Sequence, residues 1–236
     1  MPAETGVNLI GFRNSPLLVR VVPFAIFLVL TFCQNYFGEA GRYWSYLAKT
    51  LAGAWLLWLM RPFVPEMRWR LSWEAIAVGI VVFIVWVGLA DFAAWLGLKP
   101  SLVELKSAPG KTWNPFATWG PESAAAWFFA TVRLLGATLV VPPLEEVFFR
   151  SFLYRYLVQA DFEKVPLGKF FPRPFLITSV LFGFEHREWL AGILCGFAYQ
   201  GLVVRKGRLG DAMSAHALTN LLLGLWVLWK GAWQFW

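Results

Sequence analysis

The sequence predicts an all-α, polytopic transmembrane bundle of seven to eight helices, and three observations carry that prediction. Of its 236 residues 58% are hydrophobic and only 15% charged, against about 25% charged in soluble domains. Mean hydropathy is +0.57, more apolar surface than one core can enclose, so the excess faces lipid. Fifteen Trp and 22 Phe fit membrane interfaces and packed helices.

A bilayer-spanning helix needs about 20 mostly apolar residues. That length places spans near 18–37, 43–60, 73–97 and 123–141, then a separate helix over 144–158, then spans near 174–186, 188–204 and 211–229. Arg13 and Arg20 precede the first apolar run as in a signal peptide, but no small-x-small cleavage site follows. The segment is therefore expected to stay as a first transmembrane helix. Residues 99–121 and 160–173, rich in Pro, Gly and Lys, read as extramembrane loops. With no repeat and no long linker, 1–236 is expected to form one membrane domain, with N-terminal helices over 1–98 and a core over 123–229.

The net charge of +7 would point to nucleic acid in a soluble chain. Here the basic residues sit in short loops, as cytoplasmic loops require, so no nucleic-acid partner is predicted. With seven spans, Arg13, Arg20, Arg61, Arg68, Arg70, Arg155, Lys164, Lys169, Arg173, Arg205, Lys206 and Arg208 share a side. Arg42, Lys99, Lys106, Lys111, Arg187 and Lys230 take the other, which predicts a cytoplasmic N-terminus. Cys33 and Cys195, each in an apolar run, read as small buried hydrophobes.

Ionisable groups in apolar helices are costly and mark functional sites by default. In VPPLEEVFFRSFLYRYL, Pro142 and Pro143 are expected to end one helix and start the next. Glu145 and Glu146 would then lie in a first turn, where the helix dipole favours them. Arg150 follows Glu146 by four residues and would hold it, while Glu145 points about 100° away. In SVLFGFEHREWL, Phe182 and His186 share a helical face beside Glu185. In DAMSAHALTNLLLGLW, His216 and Asn220 share another. Each set alone could be structural: a capped surface helix, a satisfied histidine, or polar glue between helices. Together they supply a general base, its orienting partner and donors for an oxyanion. Arg133 and Asp91 are read as neutralising other charges or lying near helix ends, and Gly192-x-x-x-Gly196 as a helix-packing motif.

Glu145-Glu146-x-x-x-Arg150, Phe182-x-x-x-His186 and His216-x-x-x-Asn220 occur in the order of a known family. The region 123–229 resembles the CAAX prenyl protease and bacteriocin-processing family, also called the Abi family, of intramembrane endopeptidases. The charged stretch Gly183 to Glu188 is similar to its exosortase-associated subgroup. The resemblance implies that Glu145 activates a water assisted by His186, that His216 and Asn220 stabilise the oxyanion, and that Glu146 is anchored by Arg150. It implies either no cofactor or a divalent metal such as zinc on Glu145, His186 and His216, although no His-Glu-x-x-His motif is present. It further implies a peptide or protein substrate, lipidated or not, membrane lipid as surroundings, and a bacterial inner membrane location. A non-catalytic scaffold or immunity protein of the same fold stays open as the alternative, followed by a proton-coupled transporter. One tension is geometric: the span count puts His186 at the opposite membrane face from Glu145 unless helices between 144 and 186 are short.

Overall fold

The computed structural model describes residues 15–103 and 112–236, so Arg13, Lys106 and Lys111 lie outside the described residues. Among the described residues the chain is all-helical, with eight helices. They are α1 (Pro16–Cys33), α2 (Gly38–Met60), α3 (Trp73–Trp95), the short α4 (Pro115–Trp119), α5 (Ala124–Tyr156), α6 (Pro172–Phe184), α7 (Trp189–Lys206) and α8 (Gly210–Lys230). Four of them, α1, α3, α5 and α8, are long and apolar enough to cross a membrane. Half of the apolar stretch of α8 is buried but only 17% of that of α3, so α8 is central while α3 turns most of its surface to lipid. Trp73, Trp95, Trp58 and Trp229 are largely exposed, as aromatic side chains at a membrane surface are.

The expected break at Pro142-Pro143 is not there: α5 runs unbroken for 33 residues. The reason lies in its hydrogen bonding. Residues Gly136–Val140 and Val147–Leu153 are π-helical, and the Val141 N–H reaches the Gly136 carbonyl, five residues back. The wider turn takes up two residues that lack an N–H without breaking the rod. Glu145 and Glu146 consequently stand inside a long helix, and the favourable first-turn dipole expected for them is absent.

Helices α6 and α7 approach closely through small residues. A Cβ on Gly192 would lie 2.8 Å from Gly183 Cα, and one on Gly196 2.8 Å from Ser179 Cα and carbonyl oxygen. These obstacles are backbone and cannot swing away. Gly196→Ala is therefore expected to force the helices apart and to cost about 1–3 kcal/mol, read as a lower thermal unfolding midpoint in detergent.

The segment after residue 112 is not a simple polar loop. Asn114 Oδ1 accepts from the amides of Phe116 and Ala117, capping α4. Buried Trp113 packs on Tyr43, Tyr46 and Trp236 at centroid distances of 4.7, 5.6 and 5.7 Å.

One end of the bundle is tied by a buried ionic knot. Arg20 Nη2 and Arg155 Nη2 each lie 2.9 Å from Glu66 Oε1, and the Ser151 hydroxyl also donates to that oxygen. Burial alone would raise the Glu66 carboxyl, but Arg20 and Ser151 overcome it and hold the group below the usual carboxylate range. A depressed folded value means the stabilisation is complete above the ordinary value near 4.5 and is lost as pH falls through the lower one. Glu66→Gln should thus be less stable than wild type at neutral pH, with the difference vanishing in acid, as thermal unfolding across a pH series would read.

Candidate active site

The candidate groups converge where α5, α6, α7 and α8 meet, on a cavity of about 400 Å³ lined by Glu145, His186, His216 and Asn220. The tension over His186 is resolved by length: α6 has 13 residues, roughly 20 Å, too short to span, so it carries His186 to the wall that Glu145 faces.

The adjacent carboxylates have opposite surroundings. Glu146 is fully buried; its Oε2 lies 3.3 Å from Arg150 Nε and its Oε1 3.1 Å from His216 Nδ1. The expected Glu146–Arg150 pair is present, and Arg150 is further sandwiched, its Cζ 4.1 Å from the Phe182 ring centre. Glu145 faces the cavity, and among the described residues its buried Oε2 has no hydrogen-bond partner. The nearest imidazole nitrogen is His216 Nε2, 3.9 Å from Oε2.

Both histidines are oriented from behind. His216 Nδ1 donates to the Glu146 carboxylate, which turns Nε2 toward Glu145. Its ring stacks on Tyr199 at 5.0 Å and 18°. The Tyr199 hydroxyl donates to Thr219, whose own hydroxyl bonds the Gly79 carbonyl at 2.9 Å. His186 Nδ1 lies 2.8 Å from the Phe182 carbonyl oxygen, which can only accept, so Nδ1 carries the hydrogen and Nε2 is left free. The Phe182 side chain shares the face, 4.9 Å from the His186 ring.

Asn220 is partly committed elsewhere. Its Nδ2 donates to the Ala137 carbonyl at 2.8 Å. In the π-helical frame that oxygen would be met by the amide of residue 142, a proline, and so is orphaned. One Asn220 amide hydrogen remains.

Lys49 and Glu185 line the same cavity and were not assigned from sequence. A lone lysine inside the apolar run 43–60 was the available signal for the first, and adjacency to His186 for the second. Arg133 is not at a helix end, nor does it pair with an acid among the described residues; it lies within α5 among aromatic rings of Tyr46, Trp113 and Trp236. Among the described residues no three His, Cys, Asp or Glu are grouped closely enough to hold a metal ion.

Residues 126–222 match the family model described as type II CAAX prenyl endopeptidase Rce1-like. The match spans less than half of the chain and is a similarity over that stretch. No curated protein and no solved structure matches the chain. The Rce1-like segment runs from the first turn of α5 into α8 and holds Glu145, Glu146, Arg150, Phe182, His186, His216 and Asn220. The four long apolar helices mark a membrane protein, and the matched stretch is similar to a family of proteases.

Proposed function

We propose that the protein is an intramembrane endopeptidase in which Glu145 is the general base. The observation that carries this reading is the divergence of two neighbouring carboxylates: Glu146 is spent on Arg150 and His216, while Glu145 faces the cavity with a buried oxygen unpartnered among the described residues. A buried carboxylate without a hydrogen-bond partner is poised to take a proton.

In the reaction Glu145 removes a proton from water, whose oxygen bonds to the scissile carbonyl carbon. His186, with Nε2 free to accept, holds the water's other hydrogen. Negative charge on the carbonyl oxygen is met by the remaining Asn220 amide hydrogen and by His216. With Glu146 behind it, His216 can carry a second proton at Nε2 and donate it as a hydrogen bond. Collapse breaks the C–N bond, and the proton on Glu145 passes to the departing amine.

The substrate is a peptide or membrane-anchored protein, lipidated or not, and the protein sits in a bacterial inner membrane with a cytoplasmic N-terminus. The distribution of basic residues supports that orientation. The test uses purified protein in detergent with a library of short peptides, some prenylated, read by mass spectrometry. Cleavage by wild type that is lost in folded Glu145→Gln supports the reading, whereas undiminished cleavage by that variant sinks it. Cellular function retained in Glu145→Gln would instead favour a non-catalytic scaffold.

A further inference from the structure

Lys49 and Arg133 are among the charged residues of the cavity wall that the hydrolytic chemistry leaves unused. Lys49 on α2 is 6% exposed, and its Nζ hydrogen-bonds the neutral Thr31 hydroxyl at 3.1 Å. It stands 4.6 Å from the Tyr46 ring centre and 5.1 Å from that of Phe27. Arg133 Cζ stands 5.0 Å from the same Tyr46 ring, 4.5 Å from Trp113 and 5.5 Å from Trp236. Two cations therefore share one phenol ring, and among the described residues neither forms a direct ion pair with a carboxylate, although Glu145 attracts Lys49 across the cavity.

That arrangement is costly. Contacts with aromatic faces return about 0.5–2 kcal/mol each, but they do nothing about the repulsion between the two cations. An uncompensated buried charge costs several kcal/mol after relaxation. Both residues line the cavity that also holds Glu145 and Asn220. Along α5, Arg133, Ala137, Val141 and Glu145 all reach this wall, so Arg133 stands further along the channel from the proposed base, while Lys49 on α2 lies within electrostatic reach of it. An anion entering the cavity would relieve the repulsion and accept from an ammonium and a planar guanidinium together.

We propose that Lys49 and Arg133 form an anion subsite of the substrate channel, taking a carboxylate of the peptide and thereby fixing which bond reaches Glu145. The carboxylate is either the chain terminus or an acidic side chain. The inference rests on the endopeptidase reading for its consequence and on the paired cations for the binding itself, and the two can fail separately.

The experiment uses full-length protein in nanodiscs, with Glu145→Gln to stop turnover. Three random-sequence peptide pools are offered: free C-termini without acidic residues, amidated C-termini without acidic residues, and amidated C-termini with one internal Glu. Retained peptides are quantified by mass spectrometry. A carboxylate-bearing pool should be retained about tenfold to a hundredfold over the neutral amidated pool. Whichever carboxylate pool is retained identifies the source. The preference should vanish in Lys49→Gln and Arg133→Gln and survive in Lys49→Arg, with thermal unfolding checking that each is folded. Equal retention of all pools, or retention of none, overturns the subsite. Unselective cleavage of all pools by wild type would overturn it while leaving the endopeptidase standing. Carboxylate-selective retention without any wild-type cleavage would keep the subsite and overturn the endopeptidase.

Discussion

Replacing Glu145 by Gln is expected to lower cleavage by about 10²- to 10⁴-fold, the range a positioned general base contributes, while leaving the fold intact. Glutamine has the same shape and cannot take the proton. The surroundings of Glu145 make the fold prediction specific: no ion pair holds it to Arg150, and His216 Nε2 is 3.9 Å away. The thermal unfolding midpoint of Glu145→Gln should therefore stay within a few degrees of wild type while the rate collapses. A large loss of stability with the rate would show that Glu145 is structural.

The neighbouring substitution should behave in the opposite way. Glu146→Ala removes the partner of Arg150, whose Nη1 and Nη2 already have no hydrogen-bond partner among the described residues. A buried guanidinium left alone costs about 3–5 kcal/mol. His216 Nδ1 also loses its acceptor, so the ring loses its orientation. The expected result is a steep fall in unfolding midpoint together with activity. Replacing both partners, as in Glu146→Leu with Arg150→Met, should recover most of the stability and none of the activity. Failure of the double variant to recover stability would mean that the pair is more than a matched set of charges. The contrast between positions 145 and 146, one residue apart, separates chemistry from scaffolding.

Much of this site is legible in the sequence because helical periodicity is a short-range rule. The spacing of Glu146 and Arg150, of Phe182 and His186, and of His216 and Asn220 places each pair on one face, and that is where they stand. The close packing of Gly192 and Gly196 is legible for the same reason. What fails is anything that depends on departures from the α-helical repeat. Pro142-Pro143 reads as a break because in an α-helix it would be one, and no local signal announces the π turns that absorb it. The Ala137 carbonyl as partner of Asn220 follows from those turns and is equally hidden. The basic-residue count offers a different lesson. Of 21 Lys and Arg, only Lys49, Arg133 and Arg150 belong to neither set of loops, and all three lie at or against the cavity. Charges that do not help to orient a membrane chain are the ones to inspect first.

The two widened stretches of α5 make it a screw cut with an altered thread. Each π turn amounts to about one residue more than the α pitch needs, which advances everything downstream by about 100° of azimuth. The first stretch, Gly136–Val140, lies between Arg133 and Glu145, so the angular phase between cation and carboxylate is set by that single surplus residue. Deleting one residue there would restore an ordinary pitch and swing Glu145 and Glu146 together out of alignment with α8, without removing any side chain that touches the cavity. In this helix the length of the chain, rather than its chemistry, decides which carboxylate looks inward.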